Sequence, residues 1–393
     1  MSNSKVGLFS TVFCPYSQTF VWDEVTSHKR YDIDVYTCER QYPDRFPYDH
    51  VYTLEDVPAA ERLFARAFLY SKSRFKQIRD GQYALLAAHF GPGSLYALPY
   101  AERLNLPLIA TFHGFDVPLL WNARKYHPEY WRYWMLSKWM FARVDRFLAA
   151  SEELRNMLID IGAPREKVYT WRLGVRIPEL SSLKPRERQA GETYRLIQVG
   201  RFVEKKGYIY SLRALEILKK RYRDAHRDFH VELTCVGDGE GRRECEQFVQ
   251  THDLQDCVKF VNHHPQNEVF KMMEASDVLL CPSIVARNGD RESGILVAKE
   301  AGARCVPVIG TYHGGIPEII DDGKTGFIVQ ERDSEAIAKH LETLLTHEAL
   351  RREMGMAARR KIENEYCLEK RVEELELHYD EVIAERASVS GEW

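Results

Sequence analysis

The strongest constraint on the fold is a repeated alternation of short apolar segments with longer amphipathic ones. The apolar segments are typical of buried strands, and the amphipathic ones are typical of helices packed on a sheet. Such alternation predicts an α/β protein built on parallel sheets. In the first part of the chain, strands are predicted at 6–12, 34–38, 83–90, 107–111 and 146–150, and helices at 19–29, at 95–104 and after Ser151.

A polar, turn-rich stretch at residues 178–193 (PELSSLKPRERQAGET) predicts a linker. The alternation then restarts, with strands at 194–199, 230–236, 258–261, 278–281 and 306–309, a helix at 208–223 and a helical tail from Ser334. We predict one Rossmann-like domain at 1–180, a second at 190–375, and a C-terminal helix at about 376–393 packed back on the first. Ligands of open parallel sheets bind at the carboxyl ends of strands, so two such domains facing across a cleft are the simplest assembly.

Composition and net charge limit which partners and which cellular location are expected. The 393 residues carry a net charge of -3, which gives no overall attraction to nucleic acid or anionic membrane. Eight cysteines without a CxxC pair predict reduced thiols and a cytoplasmic location. The N-terminal apolar run is too short for a signal peptide, and no apolar run reaches the roughly 18 residues that span a bilayer.

A basic segment, 200–207 (GRFVEKKG), follows a predicted strand and opens a helix. A helix N-terminus with nearby cations is a site for phosphate, where Arg201 offers two parallel donors and Lys206 a point charge. When the segment is taken alone, a solvated basic turn is the better explanation, because such turns are common.

An acidic segment, 291–301 (RESGILVAKEA), places Glu292 and Glu300 eight positions apart. On a helix this spacing puts both carboxylates on roughly the same side, where they could accept hydrogen bonds from sugar hydroxyls. The backbone amides of Gly294, Ile295 and Leu296 could donate to a phosphate or sugar. The alternative is an amphipathic helix with an ordinary glutamate in its first turn.

Two further strands end in polar residues. His113 and Asp116 follow the strand at 107–111, and His89 precedes a Gly-Pro-Gly turn that contains Gly93. We predict that His113 is catalytic, that Asp116 faces the acceptor and that Gly93 lines the donor site, although a structural histidine and a plain tight turn are the simpler alternatives.

Two segments resemble other motifs only loosely. The glycines of 237–241 (GDGEG) lack the G-x-G-x-x-G spacing of a dinucleotide site. The D-x-D form of Asp32 and Asp34 occurs in metal-dependent sugar transferases, but it lies at the start of a strand, away from the predicted cleft. We therefore predict no metal and no cofactor.

These segments together resemble retaining glycosyltransferase family 4, most closely its exopolysaccharide and colanic-acid-type members. The resemblance rests on GRFVEKKGYIYSLRALEIL, on the E-x7-E segment followed by HGGIPE and DGKTGF, and on HFGPGSLYALPYAERLNLPLIATFHGFD. It covers nearly the whole chain. It implies a GT-B fold and transfer from a nucleotide-sugar with retention of anomeric configuration and without a catalytic metal; a UDP-sugar is the expected donor.

The resemblance also implies roles for the candidate residues. Arg201 and Lys206 would neutralise the leaving diphosphate, Glu292 would hold sugar hydroxyls, and Glu300 would bind the ribose. His113 would sit near C1 and C6 of the transferred sugar. The amides that would contact phosphate or sugar belong to Gly294, Ile295 and Leu296.

The chain departs from the family after its first strand. Many members have a glycine pair there, whereas this chain has CPYSQT at 14–19, which nominates Ser17 and Thr19 as polar substitutes in acceptor binding. The acceptor is expected to be a glycan, a lipid-linked glycan or a small molecule. No nucleic-acid partner is expected.

An aromatic and basic segment at 126–143 (YHPEYWRYWMLSKWMFAR) could lie in a bilayer interface, which would suit a lipid-linked acceptor. A core helix or an acceptor-pocket wall is the alternative. Other functions of the same fold also stay open: a sugar-nucleotide epimerase, a transferase that uses GDP- or ADP-sugars, a phosphorylase, or a non-catalytic sugar-nucleotide binder.

Overall fold

The computed structural model describes residues 3–15, 18–127, 130–183 and 191–390. Its strands are β1 (Ser4–Phe13), β2 (Tyr31–Arg40), β3 (Val51–Tyr52), β4 (Leu85–His89), β5 (Leu108–Phe112), β6 (Arg146–Ala149), β7 (Val168–Thr170), β8 (Tyr194–Val199), β9 (Val231–Val236), β10 (Val258–Val261), β11 (Val278–Cys281), β12 (Val308–Thr311) and β13 (Gly326–Val329).

Its α-helices are α1 (Thr19–Val25), α2 (Ala59–Phe68), α3 (Lys72–Gly81), α4 (Gly91–Leu104), α5 (Trp131–Arg143), α6 (Glu152–Asp160), α7 (Tyr208–Asp224), α8 (Arg242–Thr251), α9 (Gln266–Glu274), α10 (Leu296–Gly302), α11 (Ile316–Ile319), α12 (Ser334–Thr346), α13 (Glu348–Glu365) and α14 (Leu368–Ser390). Ser151 caps α6 as the sequence predicts, because its hydroxyl accepts a hydrogen bond from the amide of Leu154.

The chain forms two compact units. Unit 1 comprises residues 1–174 and 368–393, and unit 2 comprises residues 175–367. The linker predicted at 178–193 therefore begins inside unit 2, and its residues 184–190 lie outside the described part of the chain.

Each unit is built on one parallel sheet. Unit 1 has the strand order β3-β2-β1-β4-β5-β6-β7, and unit 2 has the order β10-β9-β8-β11-β12-β13. The strand order reverses between β1 and β4 in unit 1, and between β8 and β11 in unit 2. In a doubly wound sheet the loops at this reversal separate, which leaves a ligand-sized crevice at the carboxyl ends of the strands.

Helix α14 belongs to unit 1 although it follows unit 2 in sequence. The buried Glu376 accepts hydrogen bonds from the backbone amides of Lys29 and Arg30 and contacts the His28 ring at 3.2 Å. The helix predicted at 19–29 ends earlier, at Val25, because residues 28–30 leave the helical path to surround this carboxylate.

Two other predictions of the fold need correction. The strand predicted at 306–309 begins two residues later, at Val308. The sequence analysis also missed β3, β7 and β13, each of which has four residues or fewer.

Candidate functional site

The loops after β8 and β11 bring together two of the four charged residues predicted in unit 2, Lys206 and Glu292. Lys206 Nζ lies 2.9 Å from one oxygen of the Glu292 carboxylate, and Lys205 Nζ lies 3.4 Å from the other. Lys205 also contacts Asp290 at 3.0 Å. One basic and one acidic candidate of the sequence therefore lie in a single ion-pair cluster at the strand-order reversal, together with Lys205 and Asp290.

The pKa values of Lys206 and Glu292 are both shifted in the direction that favours the charged form. Burial alone raises the pKa of the Glu292 carboxyl, but the charges of Lys206 and Lys205 outweigh it and lower the pKa to about 2. Burial acts to lower the pKa of Lys206, and the Glu292 carboxylate reverses this, so that its pKa lies above the usual value. Both groups are therefore charged throughout the physiological pH range.

The backbone of Glu292 is held by a buried histidine. The amide of Glu292 donates to Nε2 of His313 at 3.0 Å, and Nδ1 of His313 lies 2.7 Å from Glu331. Because Nε2 accepts a hydrogen bond, the proton of the neutral ring lies on Nδ1 and is donated to Glu331. Glu292 is thus fixed through both its side chain and its backbone.

Glu292 does not lie on a helix, which corrects the reasoning from the eight-residue spacing. Helix α10 begins only at Leu296, after Ile295 adopts a positive φ of 26°. The interaction with His313 holds Glu292 in the preceding loop. Glu300 lies on α10, half-buried, and accepts a hydrogen bond from Gln266 at 3.1 Å.

Arg201 is exposed, and its side chain makes no hydrogen bond or ion pair with the described residues. Its loop is supported from the neighbouring strand, since Phe202 donates to the carbonyl of Asp238 and the amide of Gly241 donates back to Phe202. A Cβ on Gly237 would lie 2.0 Å from the carbonyl oxygen of Gly200. The glycines of 237–241 thus allow close packing under the Arg201 loop.

In unit 1, His113 follows β5 and contacts His89, the last residue of β4, with 2.8 Å between ring nitrogens. The other nitrogen of His89 lies 3.1 Å from the carboxylate of Glu24 on α1. All three side chains come from elements beside the strand-order reversal of this sheet.

Two other candidates of unit 1 have structural surroundings. Asp116 is fully buried and accepts hydrogen bonds from the amides of Gly91 and Gly114, so it joins the start of α4 to the turn after β5; its acceptor contact stays a prediction. The Gly-Pro-Gly segment predicted as a tight turn is the first turn of α4. Burial raises the pKa of Asp116 to about 6, against the opposing effect of these bonds. A Cβ on Gly93 would lie 3.2 Å from the carbonyl oxygen of Phe9, which explains this glycine by packing on β1.

The remaining acceptor candidates are Thr19 and Ser17. Thr19 is the first residue of α1 and is half-buried, whereas Ser17 lies outside the described residues. In the D-x-D segment, Asp34 is buried and accepts a hydrogen bond from Tyr83, while Asp32 accepts one from Asn3. Among the described residues, no group of His, Cys, Asp and Glu side chains is arranged to hold a metal ion.

Comparison with known proteins decides the family. The family model described as "Glycosyltransferase Family 4" matches residues 19–177, and the model described as "Glycosyl transferases group 1" matches residues 182–361. Between them, these two matches account for most of both units. The chain belongs to the family 4 glycosyltransferases.

Two relatives of this glycosyltransferase have names that assign them to bacterial polysaccharide synthesis. It is 31% identical over 72% of its length to the amylovoran biosynthesis glycosyltransferase AmsK of Erwinia amylovora. It is 31% identical over 65% of its length to the putative colanic acid biosynthesis glycosyltransferase WcaL of Escherichia coli. The alignments span 66% and 59% of these two relatives.

Solved structures confirm the fold of the glycosyltransferase. The crystal structure of Anabaena HepE in complex with UDP and glucose superposes with a TM-score of 0.76 at 15% identity, over 96% of this chain and 100% of that one. The two parallel sheets and this likeness confirm the predicted GT-B fold.

Four residues around the candidate sites of the glycosyltransferase were not predicted from the sequence. Lys205 was overshadowed by Lys206 in the same turn. His313 lies in the HGGIPE segment, which carried the resemblance, but nothing in that segment indicates a bond to the backbone of Glu292. Glu331 and Glu24 give weaker signals in the sequence. The signal for Glu24 is a carboxylate between Phe20 and Val25 on the buried face of α1.

Proposed function

We propose that this glycosyltransferase moves a sugar from a UDP-sugar to a glycan or lipid-linked acceptor, with retention of configuration and without a catalytic metal, in exopolysaccharide synthesis. The observation that carries the proposal is the buried Lys206–Glu292 pair beside the exposed Arg201 at the strand-order reversal of unit 2. The names of AmsK and WcaL support the pathway, and the UDP and glucose in HepE support the donor.

The chemistry follows from the charges. When the bond between the sugar C1 and the phosphate oxygen breaks, its electron pair stays on the diphosphate, and Lys206 and Arg201 stabilise that negative charge. Glu292 accepts hydrogen bonds from sugar hydroxyls, and Glu300 does so from the ribose. The acceptor hydroxyl attacks C1 on the face that the diphosphate leaves, and its proton passes to an oxygen of the leaving diphosphate.

The cluster places these groups before reaction. Lys205 balances one oxygen of Glu292 while Lys206 contacts the other, so the carboxylate is held at a fixed position by two cations. A preorganised charge needs no rearrangement as charge develops on the leaving group, which is the main source of its catalytic effect.

Replacing Glu292 with Gln tests the assignment. The amide keeps the shape of the carboxylate but loses its charge and one acceptor, so we expect transfer to fall about 100-fold or more. The melting temperature should fall as well, because Lys205 and Lys206 lose the charge that balances them, so transfer is compared at a temperature where both proteins are folded. Glu342→Gln is the matched control, because Glu342 pairs with Arg227 on the surface of the same unit. Transfer by Glu292→Gln at the wild-type rate would refute the assignment.

The donor is tested by thermal denaturation with UDP-, GDP- and ADP-glucose. A ligand that binds only the folded protein raises its melting temperature, and we expect the largest rise with the UDP-sugar. Conversion of the donor to an epimer without acceptor would instead identify the alternative enzyme class. A larger rise with a GDP- or ADP-sugar would correct the nucleotide.

We also propose that unit 1 contacts a membrane surface. Helix α5 has a core face that includes Tyr133 and an exposed face with Trp131, Trp134 and Met135. Helix α2 extends this surface, and Arg132 of α5 joins the two helices by donating to the carbonyl of Ala67. The exposed apolar residues of α2 are Leu63, Phe64 and Phe68.

Charge favours a lipid headgroup region as the partner of this aromatic surface. Exposed basic residues, Arg66 and Lys138, lie on the same two helices, and large aromatic side chains with adjacent cations suit the interface of an anionic bilayer. No helix in the described part of the chain has the length and apolarity to cross a bilayer, so the contact would be peripheral.

Sedimentation with vesicles of phosphatidylethanolamine and phosphatidylglycerol measures this contact. The double variant Phe64→Ser, Phe68→Ser should bind vesicles at least about tenfold more weakly, since each ring loses its burial in the bilayer interface. Leu377→Ser removes an exposed apolar residue of α14 and should bind like the wild type. Equal binding by both variants, or no binding by the wild type, would overturn the proposal.

A further inference from the structure

Unit 1 contains a small cavity beside the carboxyl-terminal halves of β1 and β2 that the proposed function does not use. Its volume is about 30 Å³. The aromatic rings of Phe9, Tyr36, Tyr96 and Tyr100 line it together with the side chain of Arg74. Tyr96 is only half-buried, and the cavity is open to solvent. A small ion or a protruding chemical group can therefore enter it.

Arg74 is the charged residue of this cavity, and it is buried without an ion pair. It lies on α3 with only 4% of the residue exposed. Nη1 donates to the side-chain oxygen of Gln77 at 3.0 Å, and Nη2 donates to the carbonyl of Thr53. Both acceptors are neutral, and the guanidinium forms no ion pair with the residues that the structure describes.

The charge of Arg74 is incompletely compensated by its surroundings. Burial lowers the pKa of the guanidinium, while the nearby tyrosines and Asp56 oppose that effect. Asp56 forms no ion pair with Arg74, and its carboxylate instead accepts from the backbone amide of Thr53. The Tyr36 ring, 4.9 Å from the guanidinium carbon, adds a cation–π contact. A buried charge is costly without an opposite charge, so an anion in this cavity would be stabilised.

Two donor groups in the lining are available to such an anion. A guanidinium has five N–H donors, and described residues accept from Nη1 and Nη2 of Arg74. Nε has no partner in this part of the chain and is not one of the fully enclosed polar atoms. The Tyr100 hydroxyl accepts from the amide of Ser71 at 2.9 Å, which leaves its own proton free to donate. Burial raises the pKa of Tyr100 to about 12, so the hydroxyl keeps this proton at physiological pH.

The size of the cavity limits which anion can enter. A water-sized oxygen atom needs roughly 10–15 Å³ of such space, so the cavity holds about two of them. The two oxygens of a carboxylate fit this space, and their geometry matches the planar fork of a guanidinium. A free phosphate ion has four oxygens and is too large, and a hexose ring is larger still.

We propose that this cavity binds the carboxylate of an acid sugar in the acceptor glycan, with Arg74 as the residue that selects for its charge and Tyr100 as a second donor. Only the carboxylate enters the cavity, and the rest of the sugar lies outside its opening. The cavity adjoins β1, one of the two strands at the strand-order reversal of this sheet, where a ligand is expected. The choice of an acid sugar rests on the proposed glycan acceptor.

Calorimetric titration of the full chain with D-glucuronate tests the site. We expect saturable binding by the wild type, no binding of D-glucose, which lacks the carboxylate, and at least about tenfold weaker glucuronate binding by Arg74→Met. Arg79→Met is the matched control, because Arg79 lies on the same helix but is exposed and pairs with Asp80, and it should bind like the wild type. Equal binding of glucose and glucuronate, no glucuronate binding by the wild type, or undiminished binding by Arg74→Met would overturn the proposal.

Tyr100→Phe provides a second and milder variant. It keeps the aromatic ring in the lining and removes only the hydroxyl, so we expect glucuronate binding to weaken about threefold or more. Thermal melts of all three variants establish that they are folded at the temperature of the titration. Unchanged binding by a folded Tyr100→Phe protein would refute its role as a donor.

Acetate and inorganic phosphate distinguish the possible sources of the anion. At constant ionic strength, acetate should compete with glucuronate and phosphate should not, because phosphate exceeds the cavity. Competition by phosphate at concentrations as low as those of acetate would overturn the carboxylate assignment, and binding of acetate without glucuronate would exclude the acid sugar. The titrations contain no UDP-sugar, so their outcome and the outcome of a transfer assay are independent.

Discussion

The backbone at Gly207 determines where Lys206 points. Gly207 ends the turn that carries both lysines and has a φ of 64°, in the left-handed region that favours glycine. A Cβ there would lie 1.9 Å from the carbonyl oxygen of Pro282, at the end of β11. The loop after β8 is thus packed directly against the loop after β11, and this contact brings Lys206 to Glu292.

Gly207→Ala should therefore lower stability more than backbone strain alone explains. We expect a loss of about 3 kcal/mol or more, because the strain adds to a clash with backbone that cannot move aside. Gly323→Ala is the control: Gly323 has a similar φ of 73° but open space around its Cβ, so the loss should be about 1 kcal/mol. Urea denaturation measures both, and equal losses would contradict the packing argument.

The sequence indicated which charged residues of unit 2 to consider, but it did not indicate how they are arranged. Their places after strands nominated four candidates, Arg201, Lys206, Glu292 and Glu300. The direct contact of Lys206 with Glu292 depends on loop conformation. Ile295 with its positive φ and the bond from Glu292 to His313 set that conformation, and neither follows from a local pattern.

At the scale of elements, a buried carboxylate lies at the centre of the contacts between α14 and the rest of unit 1. The side chain of Glu376 is 1% exposed and meets His28, Arg30 and two backbone amides. Burial alone raises the pKa of Glu376, but its hydrogen bonds outweigh this and lower the pKa to about 2. The carboxylate form is therefore the one that holds the helix.

Acid should weaken this attachment in a defined range. Because the folded pKa lies below the ordinary value of about 4.5, the stabilisation is fully present above pH 4.5 and is lost as the pH falls toward 2. Glu376→Gln lacks the ionisable group, so the stability gap to the wild type should narrow as the pH falls from 5 to 3. Thermal melts at several pH values measure this, and a gap that stays constant would contradict the assignment.

The accuracy of the predicted strand bounds differs from strand to strand. The bounds of β8, β10 and β11 agree with the sequence analysis, and for β11 the reason is a continuous apolar run that is buried at every residue. The longest strands, β1 and β2, extend beyond their predicted bounds at both ends. Edge strands β3 and β7 have two and three residues, which is too short for any periodicity to show.

At the scale of the whole molecule, unit 2 is one continuous segment whereas unit 1 is assembled from two. Unit 2 has its own apolar core around β8, β9 and β11, including Leu196, Leu233 and Leu280. Unit 1 without α14 would expose the surroundings of Glu376 and the indole of Trp171, which donates to the backbone of Arg371.

A fragment of residues 175–367 should therefore fold alone. We expect a cooperative thermal transition and a rise in melting temperature with UDP, because the proposed nucleotide contacts lie within this segment. A fragment of residues 1–174 is the comparison and should aggregate or melt without cooperativity, since it lacks α14. The absence of a cooperative transition in the 175–367 fragment would contradict the independence of unit 2.

The return of α14 to unit 1 also sets an order of events during synthesis on the ribosome. A chain emerges from its N-terminal end, and domains ordinarily fold as they appear. Here the first unit to emerge waits for a helix that is translated after the whole second unit. All seven strands of unit 1 are translated before that interval, and their sheet must wait without α14, with the binding surface for α14 open to chaperones or to other nascent chains.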